Sequence, residues 1–319
     1  MSDYVAQAAF LQYLCKHNYA HYMLVKTQKT PALSLFVTDF LLLTKSRLSL
    51  TVVFSSIAGY LLAAQVPSVF HVFLLSLGGY GLAGASNAFN QIIEKDIDAK
   101  MKRTQNRPIP TGRMSTQTTF IIATSLLIIG LVILYGFNPK TAMFGAISVF
   151  LYCCAYTPLK TITPLSVFVG AIPGAIPFML GWVSVTGSFG IEPGILFMIQ
   201  FFWQFPHFWA IGWLMHEDYQ RAGINMLPTG KRDRATAFQV ILYTIWTIVI
   251  SIFPVLGLSG TLTLTIPAAI VVGIMGLIFL WYGFLLYINQ SESSAKKLMI
   301  VSIIYIMSIQ WIYVIDKFV

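Results

Sequence analysis

The chain has 319 residues, of which 57% are hydrophobic and only 10% charged, with a mean hydropathy of +0.75. Soluble domains carry about 25% charged residues, so a soluble globular protein and a disordered chain are both excluded. A net charge of +9 matches the basic cytoplasmic loops and anionic lipid contacts of a membrane protein, and it calls for no nucleic acid.

Residues 4–15 lack a basic leading region and an uninterrupted apolar stretch, so the N-terminus does not read as a cleavable signal. Residues 1–35 read as an N-terminal cytoplasmic extension ahead of one intramembrane domain, 36–319. Residues 32–44 (ALSLFVTDFLLLT) are apolar but too short to span and contain Asp39, which predicts an interfacial helix leading into the first span. Beyond them, apolar runs near the ~20 residues that cross a bilayer recur without the alternation of barrel strands. They predict nine spans near 48–66, 70–93, 117–136, 141–157, 165–186, 194–215, 236–257, 262–287 and 298–315. The fold class is all-α, a polytopic membrane protein. Cys15, Cys153 and Cys154 offer no disulfide framework and read as small core residues.

Basic residues test the alternation of loops. Eighteen of the 20 Lys and Arg fall before the first span or in every second loop after it, leaving Lys140 and Lys317 on the other side. That asymmetry predicts a cytoplasmic N-terminus, an outer C-terminus and a multi-pass protein of the cell (inner) membrane.

Only eleven acidic residues are present, so their placement carries information. Asn90, Glu94 and Asp98 lie at i, i+4 and i+8 at the cytoplasmic end of the second span, on one helical face with about 40° of drift per step. Asp96 points to the opposite face. Two carboxylates and an amide oxygen make a surface suited to Mg²⁺, which completes its shell with substrate phosphates and water. The competing reading is a solvated helix end whose acids pair with Lys95, Lys100 and Lys102. Arg103 and Arg107 follow directly, before Pro108 and Pro110 stop the helix. Carboxylates for a metal beside arginines for phosphate oxygens is the pairing a diphosphate site needs.

The second polar cluster closes span six, with Glu217 and Asp218 at its end and His207 about three turns inside, on nearly the same face if the helix is continuous. A histidine inside a span is a functional candidate by default; a core histidine bonded to a neighbouring helix is the alternative. His17, His21 and His71 have no such placement, and His216 sits at the interface. Lys160 follows LYCCAYTPL near the same surface, and Tyr156 with the aromatic stretch 201–213 suggests an apolar cavity or simple packing.

Taken together, Asn90–Asp98 with MKRTQNRP (101–108), YTPLK (156–160), FPHFWA (205–210) with EDYQRAGINMLP (217–228), and LTKSRL (43–48) resemble the intramembrane aromatic prenyltransferase superfamily, and within it the heme O synthase branch, the protoheme IX farnesyltransferases. The resemblance covers roughly residues 36–316. It implies nine helices with an active site open to the cytoplasm, and Mg²⁺-dependent transfer of farnesyl from farnesyl diphosphate to a vinyl group of heme b, with addition of water to give heme O. By the same resemblance, Asn90, Glu94 and Asp98 hold Mg²⁺ and diphosphate. Arg103 and Arg107 grip diphosphate or a heme propionate, Lys160 adds charge, Asp218 belongs to a second metal-binding motif, and His207 contacts the heme. Membrane lipid is the surrounding partner, and hand-over of product to a heme A synthase or a terminal oxidase is implied as well. One departure stands out: the superfamily's second motif has two aspartates four apart, whereas Ala222 follows Asp218 here. The rival readings are a sister enzyme acting on a quinone precursor and a transporter. A transporter gathers polar residues near the bilayer midplane, and here the acids collect at one interface.

Overall fold

A computed structural model describes residues 32–319, and every regular element among them is helical. The expectations for Cys15, His17, His21 and most of the N-terminal extension lie outside these residues. The division between compact units falls between Leu41 and Leu42; the account below concerns the second unit.

Helix α1 (Ala32–Leu43) is followed, after a two-residue turn, by α2 (Ser46–Ala63) and α3 (Val69–Ile93). A short α4 (Lys95–Asp98) leads through a looped segment to α5 (Thr116–Tyr135) and α6 (Pro139–Phe150). Helix α6 continues as a π-helical turn over Leu151–Tyr156 and a last turn at Thr157–Leu159. Then come α7 (Ser166–Thr186), α8 (Ile191–Leu214), the short α9 (His216–Arg221), α10 (Arg234–Ile252), α11 (Ile266–Asn289) and α12 (Glu292–Phe318). Starts are set by side-chain caps: Ser68, Ser115, Asn138, Asp233, Thr265 and Ser291 each accept a backbone N–H from the first turn of α3, α5, α6, α10, α11 and α12 respectively.

Among the described residues, eight helices are long and apolar enough to cross a membrane. The ninth long helix is α8, with 24 residues; it carries Gln200, Gln204 and His207 and is not among the eight. Nine spans thus become eight plus one helix made more polar by its interior role. The last span begins earlier than expected, so Lys296 and Lys297 sit on α12 and not in the loop before it.

Helix α7 is the centre of the bundle: 78% of its span is buried inside the protein, against 22–44% for the other seven apolar spans. It packs on α2 with backbones touching. A Cβ on Gly59 would lie 2.0 Å from the Phe178 carbonyl oxygen, and one on Gly181 1.9 Å from that of Ser56. Lipid tails give no hydrophobic drive for helices to associate, so close backbone approach at small residues supplies the packing.

Contacts sort the connections onto two ends. At one end Lys160 meets Glu94, the Asn225 N–H donates to the Lys160 carbonyl, and Arg232 meets Glu292. At the other, Asn138 donates to the Val183 carbonyl, Glu192 accepts from Thr261, Asp316 accepts from Thr265, and Lys317 donates to the Ala64 carbonyl.

Candidate active site

The chain between Ile93 and Lys95 bends, with Glu94 at φ −93° and ψ 13°. The i→i+4 backbone bonds nonetheless persist from Asn90 to Glu94 and from Glu94 to Asp98, at 2.9 and 2.7 Å. The single-face arrangement therefore survives the break. Asn90, Glu94 and Asp98 are all buried and Asp96 is exposed.

Each buried carboxylate meets a cation. Lys160 Nζ lies 2.8 Å from Glu94 Oε1, and Arg107 Nη1 lies 2.6 Å from Asp98 Oδ2. Arg107 returns to the acids because the segment after Asp98 coils tightly: Thr104 Oγ1 donates to the Asp98 carbonyl and the Arg107 N–H to the Thr104 carbonyl. Lys160 is delivered by the π-turn. Pro158 supplies no N–H and crowds the carbonyl four residues back; the Thr157 N–H bonds to the Tyr152 carbonyl five residues back, and the widened turn absorbs the clash. Lys160 Nζ also lies 4.3 Å from the centre of the Tyr156 ring. The competing reading, in which the acids pair with Lys95, Lys100 and Lys102, is not what the structure shows: the partners of Glu94 and Asp98 are Lys160 and Arg107.

Asp98 Oδ1 is buried and finds no hydrogen-bond partner. An unpartnered carboxylate oxygen in the interior is costly, and it fits a divalent cation, as do Glu94 and the Asn90 amide oxygen beside it. Among the described residues no three of His, Cys, Asp and Glu cluster as a metal site. The donor set is two carboxylates and an amide, which suits Mg²⁺ sharing its shell with phosphate and water and does not suit a metal caged by protein.

One site residue is absent from the candidates drawn from sequence. Lys45 sits between α1 and α2 in a left-handed conformation (φ 45°), with Nζ 3.5 Å from Asn90 Oδ1. Burial of its ammonium, together with the nearby Arg107, Lys160 and Arg103, pushes its pKa down to about 7, with Glu94 opposing. A strained non-glycine residue of this kind is a mark of a functional position. Its only sequence signal was its place in LTKSRL. Arg103 itself is exposed.

The second cluster repeats this geometry. Helix α8 ends at Leu214 and the chain bends at Met215 (φ −96°, ψ 14°), while the Met215 N–H still donates to the Ile211 carbonyl and the Tyr219 N–H to the Met215 carbonyl, both at 2.9 Å. Asp218 is half-buried and pairs with Arg221, and it makes no contact with Asn90, Glu94 or Asp98. The loops carrying the two clusters do meet, through the bond from Asn225 to Lys160.

Below the acids lies a cavity of about 480 Å³, walled by α2, α3, α5, α6 with its π-helical turn, α7, α8 and α12. Its lining is largely apolar. Tyr156, which touches Lys160, lines it together with Tyr152, Asn87, Arg47, Trp203 and His207. Of the aromatic stretch, Trp203 and Phe208 face this cavity, whereas Phe205, Trp209 and Trp213 are buried in packing. His207 stacks on Trp203 (ring centres 4.8 Å apart) and its Nδ1 lies 2.8 Å from Ser302 Oγ. The Ser302 hydroxyl donates its proton to the Met299 carbonyl, so it accepts from His207. Nδ1 then carries the ring proton, and Nε2 is left with a free lone pair. His71, by contrast, sits at the opposite end against Phe70 and Phe137.

A model of the UbiA prenyltransferase family matches residues 52–309. The chain is 59% identical over 283 residues to a protoheme IX farnesyltransferase of Christiangramia forsetii, covering 89% of this chain and 94% of that one. Among solved structures it resembles a digeranylgeranylglyceryl phosphate synthase (TM-score 0.73, 18% identity, 88% of this chain and 98% of the other). It also resembles a homologue from Archaeoglobus fulgidus bound to DMAPP and Mg²⁺ (TM-score 0.63, 14% identity, 86% and 99%). The two structural likenesses establish the fold.

Proposed function

The chain belongs to the UbiA prenyltransferase family, and we propose that it farnesylates heme b at a vinyl group, with addition of water, to give heme O and diphosphate. The observation that carries the reading is the junction at Tyr156. On one side of it stand two buried carboxylates with their cations, and on the other an apolar cavity holding a histidine with a free Nε2. The relative at 59% identity is named for this activity.

In this reading Asp98, Glu94 and Asn90 hold Mg²⁺, which supplies charge to neutralise the leaving diphosphate. The Archaeoglobus homologue, bound to DMAPP and Mg²⁺, supports the choice of ion. Arg107, Arg103, Lys160 and Lys45 grip the diphosphate oxygens and stabilise the negative charge that develops as the allylic C–O bond breaks. The apolar cavity keeps the allylic cation from bulk water. Tyr152 and Tyr156 line this cavity, and aromatic rings there stabilise a cation. His207 contacts the heme through Nε2. Asp218, paired with Arg221 as Asp98 is with Arg107, belongs to the second metal-binding motif at the rim. The basic loops place the acid-bearing end in the cytoplasm of a cell (inner) membrane, and residues 1–35 form an extension ahead of the catalytic domain.

The test is mass spectrometry of heme extracted from membranes after expression in a host that makes heme b but no heme O. A farnesyl-plus-water adduct is expected; unmodified heme b together with a prenylated quinone precursor would move the assignment to the sister enzymes.

A further inference from the structure

The reaction proposed above needs one water molecule, delivered inside a cavity that otherwise excludes it. We propose that Gln204 positions that water. The inference rests on the heme-farnesylation reading and adds to it the residue that decides between hydration and elimination.

Gln204 lies on α8 one turn before His207, and both line the cavity. The residue is 3% exposed. Its Nε2 donates to the Ala171 carbonyl at 2.9 Å and to the Gln200 carbonyl at 3.1 Å. Both amide protons are therefore used. The orientation is fixed, because a flipped amide would set its oxygen against two carbonyl oxygens. Among the described residues no group donates to Oε1. This oxygen lies against Gly174, itself a lining residue, where a Cβ would come within 1.9 Å of it. A glycine here is what lets the amide reach its position.

An acceptor with no donor to spare holds water in one way. The water gives a proton to Oε1 and keeps its oxygen lone pairs directed into the cavity, the orientation a nucleophile requires. The neighbouring Gln200 amide oxygen is already engaged, accepting from Gln310 Nε2, and His207 Nε2, one turn further along α8, offers a second acceptor for the same water.

The step balances as follows. The C1–O bond of farnesyl diphosphate breaks and the electron pair leaves with diphosphate. The vinyl π pair then bonds its terminal carbon to C1, which leaves a cation on the carbon attached to the porphyrin. Water held on Gln204 forms the C–O bond to that carbon, and its proton passes to the released diphosphate. Without the water, the same cation loses a proton from the adjacent CH₂ and gives an alkene lighter by one water.

The experiment compares wild type with Gln204→Met and Gly174→Ala, assayed in membranes with heme b and farnesyl diphosphate and read by mass spectrometry of the extracted heme. Methionine keeps the volume and removes the acceptor. Alanine suits a helix interior and pushes the amide aside while leaving Gln204 itself unchanged, so it serves even if Gln204→Met does not fold. In both variants the alkene-to-alcohol product ratio should rise about tenfold, the scale of one lost hydrogen bond, while farnesylated heme is still made. An unchanged ratio in folded variants, whether turnover falls or not, overturns the proposal. So does loss of all farnesylated product with heme binding intact, because Gln204 acts after the C–C bond forms. If wild type itself makes no farnesylated heme, it is the function that fails and not this assignment.

Discussion

Replacing Asp98 by Asn removes one charge and leaves the side-chain volume unchanged. In the structure that carboxylate is fully buried, with one oxygen 2.6 Å from Arg107 and the other unpartnered. The substitution strips half the buried pair, a change that typically destabilises by about 3–5 kcal/mol. Arg107 keeps 15% of its side chain exposed, so solvent screens part of that loss and the low end applies. The catalytic effect is larger in consequence: losing one group that stabilises developing charge lowers turnover by about 10²–10³-fold. Asp96→Asn is the control, two residues away on the exposed face, and should stay within about twofold, since exposed substitutions shift free energies by a few tenths of a kcal/mol. Heme O formed per unit of membrane-inserted protein is the measurement, with Glu94→Gln run alongside and expected to behave like Asp98→Asn. Equal damage from all three changes would refute the single-face site.

Chelation with EDTA should abolish turnover and Mg²⁺ should restore it; full turnover in excess EDTA removes the metal from the mechanism. His207→Ala should weaken heme binding while leaving farnesyl diphosphate affinity nearly intact, both by titration of the inserted protein, and the opposite pattern would reverse the assignment. Gly181→Val should lower the melting temperature sharply, because a Cβ there meets the Ser56 carbonyl oxygen at 1.9 Å; unchanged melting would mean that α2 and α7 do not touch. Glu94→Gln alone should destabilise by about 3 kcal/mol, by leaving Lys160 buried without its partner, and Glu94→Gln with Lys160→Met should recover much of that. Simple additivity would show that the pair is not coupled.

The helices were legible because a bilayer imposes a length and an apolar composition on every span. The π-turn before Pro158 left the span pattern undisturbed, and α8 was found even though its interior face is polar. Legibility stopped where backbone geometry departs from an ideal helix. Asn90, Glu94 and Asp98 kept their shared face through the bend at Glu94, so spacing alone placed them correctly. His207 and Asp218 lie on either side of a like bend at Met215, which no proline marks and which leaves the backbone bonds of Met215 and Tyr219 to the preceding turn in place. Of the partners of the acids, Arg107 is only nine residues from Asp98 and was a candidate beside it, whereas Lys160 is 66 residues from Glu94, and no local pattern encodes that pairing. Lys45 escaped because a lone lysine between two apolar runs reads as an ordinary interfacial residue, and its left-handed backbone is invisible in sequence.

The same charges that support the proposed reaction also favour an anion at this site. Lys45, Arg103, Arg107 and Lys160 gather around two carboxylates, and burial first, with the surplus of positive charge behind it, lowers the Lys45 pKa to about 7. Like charges brought together in a poorly solvated region disfavour one another unless an anion joins them. A second carboxylate cluster does not meet that need, since Asp218 is spent on Arg221. A diphosphate meets it, because it brings several negative oxygens at once and shares them among guanidinium and ammonium groups. Once the diphosphate has engaged the cations, Glu94 and Asp98 no longer have Lys160 and Arg107 to themselves, and the orphaned Oδ1 of Asp98 ceases to be the sole unsatisfied oxygen of its carboxylate. Each carboxylate then needs a cation of its own. Mg²⁺ and the prenyl diphosphate would on this argument not be independent ligands: each would offset charge that the other leaves unbalanced.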